Sequence, residues 1–500
     1  MIYLEQNKEL YNNDIRAMLQ AFFDNEKVSL VEADTRLSLQ VLYTDDLDVE
    51  TGVKQGGYVT FTLADHSGYR DSRTVVVNYY DKALARNPLK AGLYRLLSSY
   101  TGRTLPWGSL TGVRPAKIAT AFLEQGCEDA QIIRHYTQTC LADRQKAELC
   151  IEVAKREQEL LAGFDFRRDY CLYIGIPFCP SRCLYCSFTS YPIASYRDRV
   201  DTYLQALYRE MELVAEACRS KRLVAVYIGG GTPSSLSAQQ LNALVCKVRE
   251  TFPAADLKEF CVECGRPDSI TEEKLAALKA AGVGRISINP QTMRDHTLSL
   301  IGRAHTARQT VEAFHMARKA GFDNINMDMI TGLPGENIDD IRYTLSCVKE
   351  LGPDSLTVHS LAIKRAANLK LELAQYGSLL QGSTNEMLQA VDGCARELSL
   401  FPYYLYRQKN IPGKLENVGY AARGRECFYN VLIMEEKVDI MAIGAGASSK
   451  FVFHDENRIE RVENVKNVDA YMERIEEMLD RKQNMFREAG YDRIKQGRCG

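Results

Sequence analysis

Cys179, Cys183 and Cys186 stand in "CPSRCLYC" at the spacing C-x3-C-x2-C. Three thiols this close admit three readings. They can be buried together with no shared task, because free cysteine behaves as a small apolar residue. They can ligate zinc, although a closed structural zinc site takes four ligands, usually as two pairs, and no second pair lies nearby. They can also hold an iron–sulfur cluster. A [4Fe–4S] cube takes one thiolate per iron. Three cysteines would hold three irons and leave the fourth corner open to a substrate or cofactor, which explains why there are three. The metal charge itself favours the thiolates, so no special environment is required.

Other residues of chemical interest follow further along the chain. "GGGTP" contains Gly229, Gly230, Gly231 and Thr232, and glycines let a backbone approach a ligand closely. "EFCVECG" sets Glu263 in an apolar run. A carboxylate there is costly unless it is paired or hydrogen-bonded, so a salt bridge to Arg266 and a bond to a ligand are both open. "RISINPQTMRDHTLSLIGRAHT" supplies Arg285, Gln291 and Arg303, and "NINMDMITGLPGE" supplies Asp328. Lys364, Arg365, Arg407 and Lys409 could meet carboxylates, for which the planar fork of arginine is well shaped. They could equally form surface or inter-domain ion pairs.

The elements that must position these residues have a regular rhythm. Apolar runs at 171–178, 224–230, 259–265, 285–291, 324–330 and 355–362 alternate with amphipathic, helix-length segments. Six β–α units in succession predict an α/β fold with a parallel sheet covered by helices. Six units in about 200 residues suit an open, partial (β/α)6 barrel, whose site forms at the C-terminal ends of the strands. Every motif above falls on or just after such a strand. Residues 1–165 read as an α+β N-terminal domain with a helical linker. In it, "RLSLQVLYT" alternates as a half-buried strand, two further strands follow at hairpin distances, and a helix is expected from about Asp81 to Ser99. "LPWGSLTGVRPAK" is expected to bury Trp107 in an ordered connection, or to offer an anion site at a helix start near Arg114 and Lys117. Residues 166–383 form the expected barrel, and 384–500 a small mixed C-terminal domain.

The chain has 500 residues, 45% hydrophobic and 26% charged, with a net charge of −2. That balance gives no general attraction to nucleic acid or anionic membrane, so neither partner is expected. No apolar run is long enough to span a bilayer, and the N-terminus lacks the build of a signal peptide. Fifteen scattered cysteines do not form a disulfide framework, so a reducing cytoplasm is expected.

The cysteine spacing, with aromatic Tyr185 before the last thiol, resembles the radical S-adenosylmethionine superfamily. In that superfamily the open iron binds the amino and carboxylate groups of S-adenosylmethionine, and an electron from the cluster splits the sulfonium to give a 5′-deoxyadenosyl radical. Within it, residues from about 170 to 450 are similar to the oxygen-independent coproporphyrinogen III oxidases, also called coproporphyrinogen dehydrogenases, in a variant bearing an extra N-terminal domain. The resemblance implies a partial radical-SAM barrel, a [4Fe–4S] cluster on Cys179, Cys183 and Cys186, and one molecule of S-adenosylmethionine, with a second in some members. It places Tyr173, Gly229 and Glu263 at the first S-adenosylmethionine. It also sets Tyr185, Gly230, Gly231, Thr232, Gln291, Arg303, Asp328 and Ala362 at positions expected to line the cofactor sites. The implied activity is oxidative decarboxylation of coproporphyrinogen III propionates to vinyl groups, giving protoporphyrinogen IX. The implied partners are a tetrapyrrole substrate and a reduced flavodoxin or ferredoxin-type electron donor.

Two positions depart from that pattern. The family's oxidases carry a fourth cysteine two residues after the third, where this chain has Phe188. Related haem chaperones also have phenylalanine there, but they carry an H-N-x-x-Y-W element that matches Tyr429, Asn430, Ile433 and Met434 here. The readings beside decarboxylation are therefore a radical methyltransferase or ring-opening enzyme acting on haem, and a haem chaperone with a cofactor-binding cluster.

Overall fold

The computed structural model describes all residues except 24–25, 32–34, 48–53, 254, 363–366, 368, 370–375, 381, 409–414 and 492–500. It divides into two compact units. The first comprises residues 1–155, 383–385 and 405–416, and the second 156–382, 386–404 and 417–500.

The first unit is built on a five-stranded sheet. Its strands are β1 (Ile2–Gln6), β2 (Val28–Ser29), β3 (Leu37–Leu47), β4 (Lys54–Asp65) and β5 (Arg70–Val77), in the order β2-β1-β3-β4-β5. Alternation in β3 buries Leu37, Leu39, Val41 and Tyr43, as the sequence period predicts. Helices Asn12–Phe22 and Lys82–Thr101 supply Met18, Leu19, Leu93 and Leu97 to the same core. The second of these starts where Asp81 accepts hydrogen bonds from the Ala83 and Leu84 amides. β1 and helix Asn12–Phe22 were not foreseen in the sequence. Trp107 is 1% exposed, and its indole donates to Glu416 at 2.7 Å. Glu416 also pairs with Lys146 at 2.5 Å.

The second unit contains the expected parallel series: β6 (Asp169–Ile176), β9 (Arg222–Gly230), β10 (Glu259–Glu263), β11 (Arg285–Ser287), β12 (Ile325–Thr331) and β13 (Ser355–Ser360). Neighbours pair in parallel in chain order. The short pair β7 (Phe178–Cys179) and β8 (Tyr191–Pro192) brackets the cysteine loop. The sheet continues at both ends with β14 (Phe401–Arg407), β15 (Glu416–Ala421), β16 (Asp439–Ile443), β17 (Ser448–Phe453) and β18 (Arg458–Glu463). Its order is β14-β15-β13-β12-β11-β10-β9-β6-β16-β17-β18. Among the described residues it is open, with β14 and β18 at its edges. β16 runs parallel to β6, with Ile440 opposite Cys171.

The parallel connections need a crossover of a dozen or more residues, and helices provide it. Ser237, Thr306 and Asn337 each close a capping box at the start of such a helix. The strands are buried almost throughout, as expected of a sheet covered on both faces. Within β6, β12 and β13 one residue each falls short of full burial: Tyr173, Asp328 and His359. On β10 it is the last residue, Glu263, and on β9 Tyr227 is the half-buried residue inside the strand.

Candidate functional site

Because the six strands run parallel, their C-terminal ends share one edge of the sheet. The cysteine loop leaves β6 at that edge. Two hydrogen bonds tie its first residues to the glycine motif after β9: the Gly231 amide donates to the Ile176 carbonyl at 2.8 Å, and the Thr232 amide to the Phe178 carbonyl at 2.7 Å. Close approach requires glycine there. A Cβ on Gly231 would lie 2.6 Å from the Phe178 carbonyl oxygen and 2.9 Å from that of Ile176. Gly230 has φ +103°, which disfavours any side chain. The amides of Gly231 and Thr232 thus hold the cysteine loop itself. The Thr232 hydroxyl stands 3.4 Å from the Cys179 thiol.

Cys183 is buried, and Cys179 and Cys186 are half-buried. Burial pushes the Cys179 thiol up to about 11, and burial raises Cys186 as well. Sulfurs in such a setting ionise against a metal centre rather than against water. Among the described residues, no trio of Cys, His, Asp or Glu side chains is gathered for a single metal ion. A cubane places its thiolates on different irons and does not need that gathering.

Beside the loop, Glu263 ends β10 and accepts a hydrogen bond from the Tyr227 hydroxyl. Burial raises its carboxyl to about 7, the Tyr227 bond opposes that rise, and Asp328 adds to it. The salt bridge to Arg266 allowed by the sequence is not formed. Arg266 pairs with Asp268, two residues on, at 2.8 Å, because the chain turns after Glu263 and carries the guanidinium to its own near neighbour. Tyr227 belongs to a near-parallel aromatic group that sequence reasoning missed. Its ring centroid lies 4.5 Å from Tyr429 and 6.2 Å from Tyr173, and Tyr173 lies 6.0 Å from Tyr429. Tyr429 is 5% exposed.

Farther along the sheet, Asp328 accepts from Asn289 at 2.8 Å and Asn326 at 2.6 Å, with His359 Nε2 at 4.0 Å. Gln291 adopts φ +65°. Its amide donates to the Asp328 carbonyl at 2.9 Å, and its own carbonyl accepts from Ile330 at 3.0 Å. Arg303 Nη1 donates to the Asn289 carbonyl at 2.5 Å, and the side chain also reaches Tyr185 and Cys183. Tyr185 and Ala362 are half-buried, and Ala362 lies two residues past β13.

Two other expectations resolve differently. Arg285 is structural: it donates to Asn324 at 2.7 Å and to the Arg425 carbonyl at 2.8 Å. Arg407 is buried among neighbours of its own unit. It belongs to the first unit, where it is 5% exposed, lies 5.0 Å from the Trp107 ring and donates to the Leu110 carbonyl. Burial lowers it to about 10. Lys364, Arg365 and Lys409 lie outside the described residues.

The donor set fits a cluster with an organic cofactor beside it. Besides the three thiols, Gln291 Oε1 and Arg303 Nε are buried with no hydrogen-bond partner, and such atoms in a native fold call for a ligand or water. The profile of the radical SAM superfamily matches residues 173–348. A parallel β/α sheet with a three-cysteine loop after its first strand is the arrangement of that class. The chain is 40% identical over 401 residues to the oxygen-independent coproporphyrinogen-III oxidase-like protein HemZ of Bacillus subtilis, covering 79% of this chain and 80% of that one. It is also 40% identical over 193 residues to the heme chaperone HemW of the same organism, covering 38% of this chain and 50% of that one. Among solved structures it is similar to the coproporphyrinogen III oxidase HemN of Escherichia coli, with TM-score 0.48 and 23% identity, covering 64% of this chain and 72% of that one. The chain belongs to the family of oxygen-independent coproporphyrinogen-III oxidase-like radical SAM proteins. No helix among the described residues is long and apolar enough to cross a membrane.

Proposed function

We propose that this protein catalyses oxygen-independent oxidative decarboxylation of coproporphyrinogen III propionates, giving the vinyl groups of protoporphyrinogen IX. The observation that carries the reading is the meeting, at one sheet edge, of the three-cysteine loop, the glycine motif and the polar groups Glu263, Gln291, Arg303 and Asp328. Cys179, Cys183 and Cys186 would hold a [4Fe–4S] cluster. Tyr173, Gly229 and Glu263 would hold the first S-adenosylmethionine. Tyr185, Gly230, Gly231, Thr232, Gln291, Arg303, Asp328 and Ala362 would complete the cofactor sites, with room in the family pattern for a second molecule. When bound, cluster and S-adenosylmethionine supply one-electron cleavage of the sulfonium and abstraction of a hydrogen atom.

The chain's own residues bind and orient. Glu263, with a carboxyl near neutrality, can accept or donate a hydrogen bond to a polar ligand atom. Tyr173, Tyr227 and Tyr429 pack against one another, and the Tyr227 hydroxyl orients the Glu263 carboxyl. Each propionate loses one hydrogen atom, one carbon dioxide and one electron, so a reduced flavodoxin- or ferredoxin-type donor and a separate one-electron acceptor are required. The chain divides on this reading into 1–165, 166–383 and 384–500, and it works in the cytoplasm.

Phe188, 64% exposed, stands where the oxidases have a further cysteine, and this favours keeping the haem-directed readings as outcomes of one experiment. Against the carrier reading, Tyr429 occupies the position of the chaperones' histidine and is packed in the stack rather than presented to a ligand. The test is anaerobic cluster assembly, then incubation with dithionite, S-adenosylmethionine and either coproporphyrinogen III or haem. Vinyl product is expected. Methylated or ring-opened tetrapyrrole, or tight haem binding without cofactor turnover, would replace the proposal.

A further inference from the structure

Arg266 follows β10 and is not among the cofactor residues, yet it is 2% exposed. Its Nε and Nη2 bind the two carboxylate oxygens of Asp268 at 2.9 and 2.8 Å. A guanidinium holds its donors in a rigid plane, so this two-point grip fixes the direction of the remaining nitrogen. Nη1 points into the cysteine loop. It donates to the Ser181 carbonyl at 3.2 Å and to the Ser181 hydroxyl at 3.1 Å, and stands 3.9 Å from Cys183 Sγ.

The charges around that thiol do not balance among these side chains. Two buried guanidinia, Arg266 and Arg303, reach Cys183. Asp268 is the carboxylate that pairs with Arg266. His305, with Nδ1 at 3.8 Å from Asp268, adds no charge, because burial first and then Arg303 hold it neutral, down to about 3. A buried excess of positive charge is costly unless an anion answers it. A thiolate-ligated cluster is such an anion.

We propose that Arg266 is a positioning residue for the cluster. It ties the Cys179–Cys186 loop to the end of β10 and donates an N–H to the Cys183 thiolate, which draws charge from the cluster and raises its reduction potential. The proposal rests on the cluster assigned under the proposed function. Hydrogen bonds to cluster sulfurs are one of the protein's levers on potential, and outer residues of this kind orient the ligands. Asp268 is the second arm of the device, since it fixes the orientation of Arg266.

The test uses the full chain as R266Q and R266K, each with the cluster assembled anaerobically. Three quantities are read: iron content, the midpoint potential of the cluster followed by electron paramagnetic resonance, and amide hydrogen exchange over residues 180–187 in the metal-free chain. R266Q is expected to titrate at a more negative potential than wild type, with R266K between them. In the metal-free chain the loop amides of R266Q should exchange about tenfold faster, because local opening is no longer resisted by the tether. Wild-type potential together with wild-type exchange in R266Q overturns the proposal. If R266Q holds no cluster, R266K decides: a more negative midpoint supports the proposal and an unchanged one overturns it. If wild-type protein assembles no cluster, the proposed function falls, and the exchange rates still judge the tether, unchanged rates overturning it.

Discussion

Gly231→Ala is a one-carbon test of how the cysteine loop is held. Ordinary contact between a Cβ and a neighbouring heavy atom begins near 3.4 Å, whereas the new carbon would meet the Phe178 carbonyl oxygen at 2.6 Å. One of the two backbones must therefore retreat by about 0.8 Å. Neither obstacle is the end of a flexible side chain. Both are carbonyls of the segment that leads into Cys179, and both accept the hydrogen bonds that tie the loop to the glycine motif. Overpacking of this kind costs about 1–3 kcal/mol, and a weakened hydrogen bond adds about 1 kcal/mol. The functional effect should be larger than the loss of stability. A shift approaching 1 Å in catalytic geometry reduces rate by about 100-fold, and here it falls on the segment leading into Cys179, a proposed cluster ligand. The assays are urea unfolding of the metal-free chain, iron content after anaerobic assembly, and release of methionine from S-adenosylmethionine. Gly284→Ala is the control, because a Cβ there meets nothing within 4 Å and its φ is not in the left-handed region; it should stay within about 0.5 kcal/mol of wild type. Wild-type stability and wild-type turnover in G231A would refute the reasoning that close backbone approach positions the loop.

Serine in place of Cys179, Cys183 or Cys186, one at a time, should abolish stable cluster assembly and cofactor cleavage, read as bound iron, visible absorbance and methionine release; an iron-replete, active variant at any of the three would break the ligand assignment. Tyr429→Ala should destabilise the chain by about 3–5 kcal/mol by emptying the aromatic stack, whereas Tyr429→Phe, which keeps the ring, should stay within about 1 kcal/mol of wild type in the same urea titration. Glu336 is 1% exposed, takes a hydrogen bond from Thr292, has Oε2 without a partner, and is raised by burial from 4.5 to about 7. The folded chain therefore binds more protons than the unfolded one between those values, so stability should fall as pH rises from about 4.5 to about 7. Glu336→Gln should remove a share of that slope on the order of 3 kcal/mol; Glu263 shifts in the same direction, so part of the slope should remain.

The parallel series was legible because strands buried on both faces must be apolar throughout, and "CLYIGIPF", "VAVYIGG" and "SLTVHSLA" have that character. The cysteine loop was legible because its signal is local spacing. Pairings across long separations were not. "VDIMAI" has the composition of a strand, but nothing in it says that Ile440 will lie opposite Cys171, since parallel partners are chosen by the packing of the whole sheet. Arg407 was misplaced for a related reason. Its charge suggested either a carboxylate-binding cation or an exposed ion pair, and its real setting, buried against Trp107, depends on a residue 300 positions earlier in the chain.

The tyrosine stack lies between these extremes, and part of it could have been foreseen. Side chains in a strand alternate, so Tyr227 shares a face with Gly229. Once β6 and β9 are recognised as parallel neighbours, with both glycine-bearing ends at the same edge, Tyr173 and Tyr227 fall opposite each other, as they do in the structure. Glu263 then has a phenol within reach on the adjacent strand, so the partner its own apolar run lacks comes from the neighbouring run, "VAVYIGG". The third ring could not be inferred this way, because Tyr429 comes from a helix whose docking no strand register fixes. That helix brings its second residue, Tyr429, against Tyr173 and Tyr227. The stack beside Glu263 is therefore completed only when this C-terminal segment packs against β6 and β9.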